Sequence, residues 1–215
     1  MSIEAERLRW DERFSVEGYH FGTEPNGFVA AQAHLLRPGT TALCVADGEG
    51  RNSVWLAQQG LRVTAFDFSP VGVDKARRLA AHKGVQVEHL EANVNDWDWD
   101  ARQFDLVAAI FVQFMTPPER SRLFAGIVRT LGPGGILLLQ GYTPKQLDYG
   151  TGGPKQVEQL YTEALLREAF ASLEILHLRE HEEVIEEGDA HCGMSALIDL
   201  VALRPRADRR PSSSY

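Results

Sequence analysis

From residue 40 onward, short apolar segments alternate with segments of helical periodicity, and this alternation constrains the fold more than any other feature. The apolar segments are aliphatic or β-branched, end at turn residues and are predicted to be buried strands at 42–46, 62–68, 85–90, 104–111 and 135–141. Three of the segments between them are predicted to be helices, at 52–59, 71–83 and 118–131. Repeated strand–helix–strand units indicate a mostly parallel sheet with helices on both faces.

The two ends of the chain do not follow this alternation of strands and helices. A predicted helix at 157–170 is followed by strand patterns at 173–185 and 195–203, joined by a glycine-containing loop, which indicates an antiparallel pair. Two predicted helices at 2–14 and 26–36 flank an aromatic loop and form an N-terminal helical cap, about residues 1–36. We therefore predict an α/β fold with a doubly wound, mostly parallel seven-stranded sheet and a C-terminal antiparallel hairpin.

Length, charge and cysteine content narrow the class of protein. The chain has 215 residues, enough for one domain, predicted here as residues 1–203, with residues 204–215 as a basic, disordered tail. A net charge of -8 and a pI near 5.4 disfavour a nucleic-acid partner. No apolar segment reaches the roughly 18 residues of a membrane span, and two cysteines form no disulfide framework. We expect a cytoplasmic protein without a membrane partner.

A glycine-rich turn joins the first predicted strand to its helix. Gly48 and Gly50 let the backbone bend sharply and approach a ligand, and the helix that opens at Arg51 and Asn52 presents unpaired N–H groups. Ligands of open parallel sheets bind at this edge. The acidic side chains at 47 and 49 would repel a pyrophosphate but suit a cationic ligand, and Ser53 stands where a dinucleotide fingerprint has its third glycine. A plain tight turn is the alternative interpretation.

Two further strand ends carry polar residues. Asp67 ends the second strand, where an acid can accept hydrogen bonds from both ribose hydroxyls; capping the next helix is its alternative role, which Ser69 also offers. At the end of the third strand, Asn93 can bond an exocyclic amine and the amide of Val94 can donate to a ring nitrogen. Three successive strand ends thus predict a nucleoside site.

With these motifs, the chain resembles the class I S-adenosylmethionine-dependent methyltransferases. The resemblance lies in LCVADGEGRN, FDFS, EANVNDW, FDLVAAIFVQF and LGPGGILLLQGY, and it extends over about residues 10–203. The opening WDERF and YHFGTEPNGFV are similar to the cap of the tellurite-resistance-like branch. The chain departs from the usual pattern at Cys44, where the family carries an acid, at Ala46, where it carries glycine, and at Asn93, where Asp is common.

The resemblance implies a Rossmann-like fold, S-adenosylmethionine as cofactor and a set of binding residues. Residues 46–52 would line the methionine half, the acid at 67 would bind ribose, and the cap would close the site. The implied cofactor-binding residues are Trp10, Arg13, Ala46, Asp47, Gly48, Glu49, Gly50, Arg51, Asn52, Asp67, Phe68, Asn93, Val94 and Phe111. Arg13 is a candidate partner of the cofactor carboxylate, and either Asp47 or Glu49 faces its amino group.

Methyl transfer from a sulfonium is an in-line displacement that needs alignment and exclusion of water but no metal. Loops at the same edge supply two catalytic candidates, His191 as a base and Tyr142, although a thiolate or chalcogen oxyanion would need no base. We expect a small-molecule acceptor of thiol, chalcogen or phenol type, a role in detoxification, and a monomer or weak homodimer. Two other hypotheses remain: a non-catalytic module that binds a nucleoside cofactor, and an NAD-dependent oxidoreductase.

Overall fold

In the computed structural model, which describes residues 3–188 and 191–206, seven strands form one sheet. The strands are β1 (Thr41–Val45), β2 (Arg62–Asp67), β3 (Val87–Glu91), β4 (Phe104–Ile110), β5 (Leu131–Tyr142), β6 (Glu174–Glu187) and β7 (His191–Leu203). The helices are α1 (Ile3–Phe14), α2 (Gly27–Ala31), α3 (Arg51–Gln58), α4 (Pro70–His82), α5 (Pro117–Thr130), α6 (Gln146–Tyr149) and α7 (Glu163–Ala169).

The strand order is β3-β2-β1-β4-β5-β7-β6. The five strands from β1 to β5 run parallel, and β7 runs antiparallel to both β5 and β6. The order reverses between β1 and β4, so a crevice opens beyond the carboxyl ends of these two strands. The predicted doubly wound fold with its antiparallel C-terminal hairpin is confirmed.

Consecutive residues of the central strands are buried on opposite faces of the sheet. Val107 packs in the core on one face and Leu106 in the core on the other, and Leu137 and Leu138 of β5 divide in the same way. All four side chains are at most 3% exposed, and each contributes about 1.5–3 kcal/mol by its burial. This two-sided burial explains why these strands appear in the sequence as uninterrupted apolar runs.

The C-terminal third differs from the prediction in three respects. The predicted helix at 157–170 is a 3₁₀ turn (Val157–Gln159) followed by α7, because Tyr161 between them donates its N–H to the carbonyl of Tyr142 at 2.9 Å. Both hairpin strands are longer than predicted and meet near Gly188. The predicted boundary at 203 falls too early, since Arg204 exchanges backbone hydrogen bonds with Gly134 and Gly135, both 2.8 Å.

The remainder of the predicted tail, residues 207–215, lies outside the described residues. Within the described ranges, no helix combines the length and the apolar character required to cross a membrane.

Candidate cofactor site

The turn after β1 has the close-packed geometry that its glycines predict. Gly48 and Gly50 have φ values of 60° and 91°, and Ala46 also has a positive φ, 50°. A Cβ on Gly50 would lie 2.7 Å from the Cβ of Ala76 in α4, so only glycine allows α3 to begin here. Asp67 stabilises the turn, because its carboxylate accepts the N–H groups of Gly48 and Ser69, both at 2.9 Å.

A cleft whose empty space, open solvent included, is about 740 Å³ lies between this turn, the cap and the carboxyl ends of β1, β2 and β4. Nine of the fourteen residues predicted to bind the cofactor line it, namely Trp10, Ala46, Asp47, Gly48, Arg51, Asn52, Asp67, Phe68 and Phe111. The other five, Arg13, Glu49, Gly50, Asn93 and Val94, do not line it. Binding of a cofactor by any of them stays a prediction.

Of the two acids in the turn, Glu49 faces away from the cleft. Its carboxylate is 3% exposed, lies 2.5 Å from the Nζ of Lys75 and accepts the N–H of Phe21 at 3.3 Å. Lys75 also donates to the carbonyls of Phe14 at 2.8 Å and Val16 at 3.2 Å. The buried Glu49–Lys75 pair therefore holds the cap against α4.

Asp47 is the acid of the turn that faces the cleft. Its Oδ1 accepts the N–H of Ser53 at 3.3 Å, and its Oδ2 accepts the Ser53 hydroxyl. Burial raises the pKa of Asp47 to about 7; the Ser53 hydroxyl opposes this rise, and the charge of Asp67 adds to it. Burial also raises the pKa of Asp67 to about 6, against its backbone hydrogen bonds. Two carboxyls with raised pKa values on one cleft floor are typical of a binding site.

The hairpin end packs on the cap and on Arg51, a residue of the cleft wall. Glu187 lies 2.7 Å from the Nη2 of Arg51 and accepts the N–H of Gly27 and the Nδ2 of Asn26, both at 3.0 Å. Gly188 packs so closely on the cap that a Cβ there would lie 2.5 Å from the carbonyl oxygen of His20. We call this contact between residues 20–27 and residues 187–188 the roof.

The walls of the cleft are aromatic. Trp10, Phe14 and Phe21 form one cluster, with ring centroids 5.4 to 6.2 Å apart. On the other side, the rings of Phe68 and Phe114 are parallel within 4° and their centroids are 6.4 Å apart. These rings offer apolar faces to a flat heterocycle.

Arg13 packs its guanidinium over the Trp10 ring, 4.8 Å from the centroid, instead of lining the cleft. Burial lowers the pKa of Arg13. Arg51 is the arginine on the cleft wall, and it is held there by Glu187.

Asn93 and Val94 are engaged in their own loop. The Oδ1 of Asn93 accepts the N–H of Asn95 at 2.9 Å, and the carbonyl of Val94 accepts the Nε1 of Trp99 at 3.3 Å. Asn93 therefore closes a local turn of the type that this residue favours.

Tyr142, one of the two predicted catalytic residues, does not line the cleft. Tyr142 is 1% exposed and stacks on Phe111 at a centroid distance of 4.7 Å, so it lies one layer behind the wall, and burial raises its pKa. Phe111 has a φ of 56°, an unfavourable conformation for a bulky residue, at the end of β4. His191 begins β7, opposite Glu187 of β6, at the hairpin end. Gln113 turns away from the cleft and exchanges hydrogen bonds with the backbone of Tyr142.

Several wall residues were not predicted from the sequence, in particular Phe14, Phe21, Ile110 and Phe114. Aromatic residues at cap and loop positions are equally compatible with a core, so their sequence context carries no signal for a cleft. The contacts of Ser53 and Glu187 with cleft residues were likewise missed. For Ser53, the one available signal in the sequence was that a serine stands where a dinucleotide fingerprint has its third glycine.

Comparison with known proteins supports the family resemblance. The model of a methyltransferase domain family matches residues 42–135. An uncharacterised methyltransferase of Synechocystis sp. is 30% identical over 105 residues, 48% of each chain. The chain spans about half the length of the relatives it matches in sequence.

Solved structures share the fold at low sequence identity. TehB from Haemophilus influenzae has a TM-score of 0.69 and 16% identity, over 83% of this chain and 62% of that chain. The N-methyltransferase NodS from Bradyrhizobium japonicum WM9, in complex with S-adenosyl-L-homocysteine, has a TM-score of 0.69 and 13% identity, over 93% and 98%. The family model thus identifies a methyltransferase domain at residues 42–135, and the solved structures share the fold of the chain.

Proposed function

We propose that this protein transfers the methyl group of S-adenosylmethionine to a small-molecule acceptor. One observation carries the proposal: Asp47 and Asp67 lie on the floor of an aromatic-walled cleft at the point where the strand order reverses. A carboxylate floor suits a ligand that has both an ammonium group and ribose hydroxyls, and it disfavours the pyrophosphate of a dinucleotide. S-adenosylmethionine, the cofactor of this family, has the required groups.

The proposed roles follow from which side chains line the cleft. Asp67 would accept the ribose hydroxyls, and the parallel rings of Phe68 and Phe114 would hold the adenine. Asp47 would face the ammonium group, because Glu49 is committed to Lys75. Arg51, rather than Arg13, would bind the cofactor carboxylate, since only Arg51 lines the cleft.

Methyl transfer from a sulfonium to a thiolate or a chalcogen oxyanion requires no general base. The floor and wall residues would hold the cofactor, which would supply its methyl group to the acceptor nucleophile, and the aromatic walls would exclude water from the transfer. The acceptor belongs to the thiol, chalcogen or phenol classes in this proposal, with detoxification as its role. In this proposal, His191 as a base and Tyr142 as the second catalytic residue would act on the methyl acceptor and not on the cofactor. A cytoplasmic location and a monomeric or weakly dimeric state stay predictions.

Titration calorimetry with S-adenosylhomocysteine and, separately, with NADH tests the cofactor. We expect binding of the first and none of the second; the reverse result would refute the proposal. Asp67→Asn retains an acceptor for the turn but removes the charge, and we expect at least tenfold weaker binding. Asp74→Asn, on the exposed face of α4, is the matched control and should bind normally.

A turnover assay over thiol, phenol and chalcogen acceptors tests the reaction itself. A non-catalytic binding module is the second candidate, since the described cleft residues include no histidine and both of their carboxylates are assigned to the cofactor. Binding of S-adenosylhomocysteine without methylation of any acceptor in the panel would favour that candidate.

A further inference from the structure

A chain of hydrogen bonds runs from the cleft floor into the protein interior. The Ser53 hydroxyl, which is fully buried, donates to the Oδ2 of Asp47 and lies 3.3 Å from the Nε2 of His89. Because the hydroxyl has a single hydrogen, the ring nitrogen of His89 must donate when Ser53 donates to the carboxylate. The Gly50 carbonyl is a second acceptor, 3.2 Å from the hydroxyl; when Ser53 donates to the carboxylate instead, the order is His89 to Ser53 to Asp47.

His89 is suited to this role because it stays neutral. It lies in β3, is 8% exposed, and burial lowers its pKa to about 4, with a further contribution from Arg77. Arg77 also donates to the carbonyl of His89 at 3.0 Å. A neutral imidazole with its hydrogen on Nε2 is a fixed donor throughout the physiological pH range.

The charged groups around Asp47 come from three neighbouring elements. Asp67 at the end of β2 opposes its ionisation, Arg51 in α3 favours it, and the Cys44 thiol of β1 lies beside it. Asp11 of α1 acts one step further away, on Asp67. Arg51 and the two donors of Ser53, its N–H and its hydroxyl, thus oppose the effect of the repulsion between the carboxylates of Asp47 and Asp67.

We propose that Ser53 and His89 are positioning residues that orient Asp47 as a carboxylate toward the cleft and so set the pH range over which the cofactor binds. This inference rests on the proposed function, because it takes the ammonium group of the cofactor as the ligand of Asp47. It assigns a purpose to the serine at the third-glycine position: the residue remains small enough for the helix to pack on the strand, and it adds a donor that glycine lacks.

Ser53→Ala removes the hydroxyl, with its contacts to Asp47, Gly50 and His89, but keeps the backbone N–H that donates to Asp47, and alanine is also accepted at this position of related turns. Without the hydroxyl, the Asp47 pKa rises, so a larger fraction of the protein holds Asp47 protonated at neutral pH. A hydrogen bond to a charged group corresponds to a shift of about 1–2 pH units. We therefore expect the midpoint at which acid abolishes S-adenosylhomocysteine binding to move upward by about one unit, with affinity recovering toward that of the unaltered protein at pH 8.5.

The experiment measures the dissociation constant of S-adenosylhomocysteine from pH 6 to pH 9 in the unaltered protein, Ser53→Ala and His89→Phe. Ser121→Ala, an exposed serine of α5 that bonds only its own helix, is the control. The ligand titrates identically in every variant, so only differences between profiles count. His89→Phe should shift the midpoint in the same direction by a smaller amount. Profiles of Ser53→Ala that coincide with the unaltered protein, or that weaken equally at every pH, would overturn the inference.

The carboxyl titration of Asp47 in the ligand-free protein separates this inference from the proposed function. With ¹³C-labelled aspartate, the Asp47 signal is the one absent from Asp47→Asn. Its midpoint should rise in Ser53→Ala; an unchanged midpoint would refute the positioning role even if the cofactor binds. If the unaltered protein binds no S-adenosylhomocysteine at any pH, the proposed function and the cofactor part of this inference both fail, whereas the carboxyl titration still decides whether Ser53 positions Asp47.

Discussion

Replacing Glu187 by glutamine removes the negative charge that faces Arg51 across the roof while retaining the size of the side chain. The two side chains are 8% and 13% exposed, so water screens the pair little. Breaking a buried ion pair by removing one partner costs about 3–5 kcal/mol. The amide oxygen of glutamine still accepts hydrogen bonds from Arg51 and Gly27, so we expect a loss of about 2–3 kcal/mol in the free energy of unfolding.

Equilibrium denaturation in urea measures this loss, with the slope of the transition as a check that the folded state is unchanged. Arg167→Gln breaks an exposed pair with Glu163 at 3.1 Å and should cost less than about 1 kcal/mol. A loss of under about 0.5 kcal/mol for Glu187→Gln would refute the reasoning, because the roof charge would then be solvated or compensated elsewhere.

Three other substitutions test separate parts of the site. Phe114→Ala should weaken S-adenosylhomocysteine binding about 5- to 100-fold, the value of one aromatic–base stack, by calorimetry. Gly188→Ala should cost about 2 kcal/mol or more of unfolding free energy, since its φ is 65° and a Cβ would meet the carbonyl of His20. Asp47→Asn should abolish cofactor binding yet stabilise the ligand-free protein at pH 8, by about 2 kcal/mol in thermal unfolding, because it removes a buried charge and, with it, the repulsion by Asp67.

The sign of the last prediction follows from the direction of the pKa shifts. The folded protein keeps protons on Asp47 and Asp67 to about pH 7 and 6, whereas the unfolded chain releases them near pH 4. The folded state thus binds more protons in this window, and stability falls as the pH rises from about 4 to 7. Asp47→Asn should flatten that fall, and an unchanged pH dependence would contradict the assignment.

Gly188→Ala and Phe114→Ala each have a matched control. Gly84→Ala has a similar φ, 69°, but nothing within 4 Å of the added Cβ, so it reports backbone strain alone; equal costs at 84 and 188 would exclude tight packing of the roof. Leu147→Ala, at an exposed position of α6, should leave binding unchanged. Normal binding by Phe114→Ala would remove the parallel rings from the cofactor site.

The sheet could be predicted from the sequence because the apolar runs of its five parallel strands depend on local pattern alone. The helix predicted at 157–170 was wrong over its first half, where a backbone bond to Tyr142 holds the chain extended and no local pattern records that bond. At the site, the positions of Asp47 and Asp67 followed from topology, since parallel strand ends meet at one edge.

The sequence could not predict which of the two acids in the turn faces the cleft. Asp47 and Glu49 have the same sequence context, and they differ because Lys75 on the neighbouring helix α4 pairs with Glu49 alone. The contacts of the roof could not be predicted either, because Glu187 and Arg51 are 136 positions apart in the sequence and no local pattern relates them.

The roof also has a consequence for how the cleft is made. Glu187 bonds Asn26 across 161 positions, so the last hairpin must return to the first helices before Glu187 can hold Arg51 in the cleft wall. Contacts of such separation are entropically expensive to form and belong to the slow part of folding. On an elongating chain, the glycine-rich turn and the aromatic walls would emerge long before the hairpin that shelters them. During synthesis, the aromatic surface of this cleft is therefore a surface on which chaperones can act.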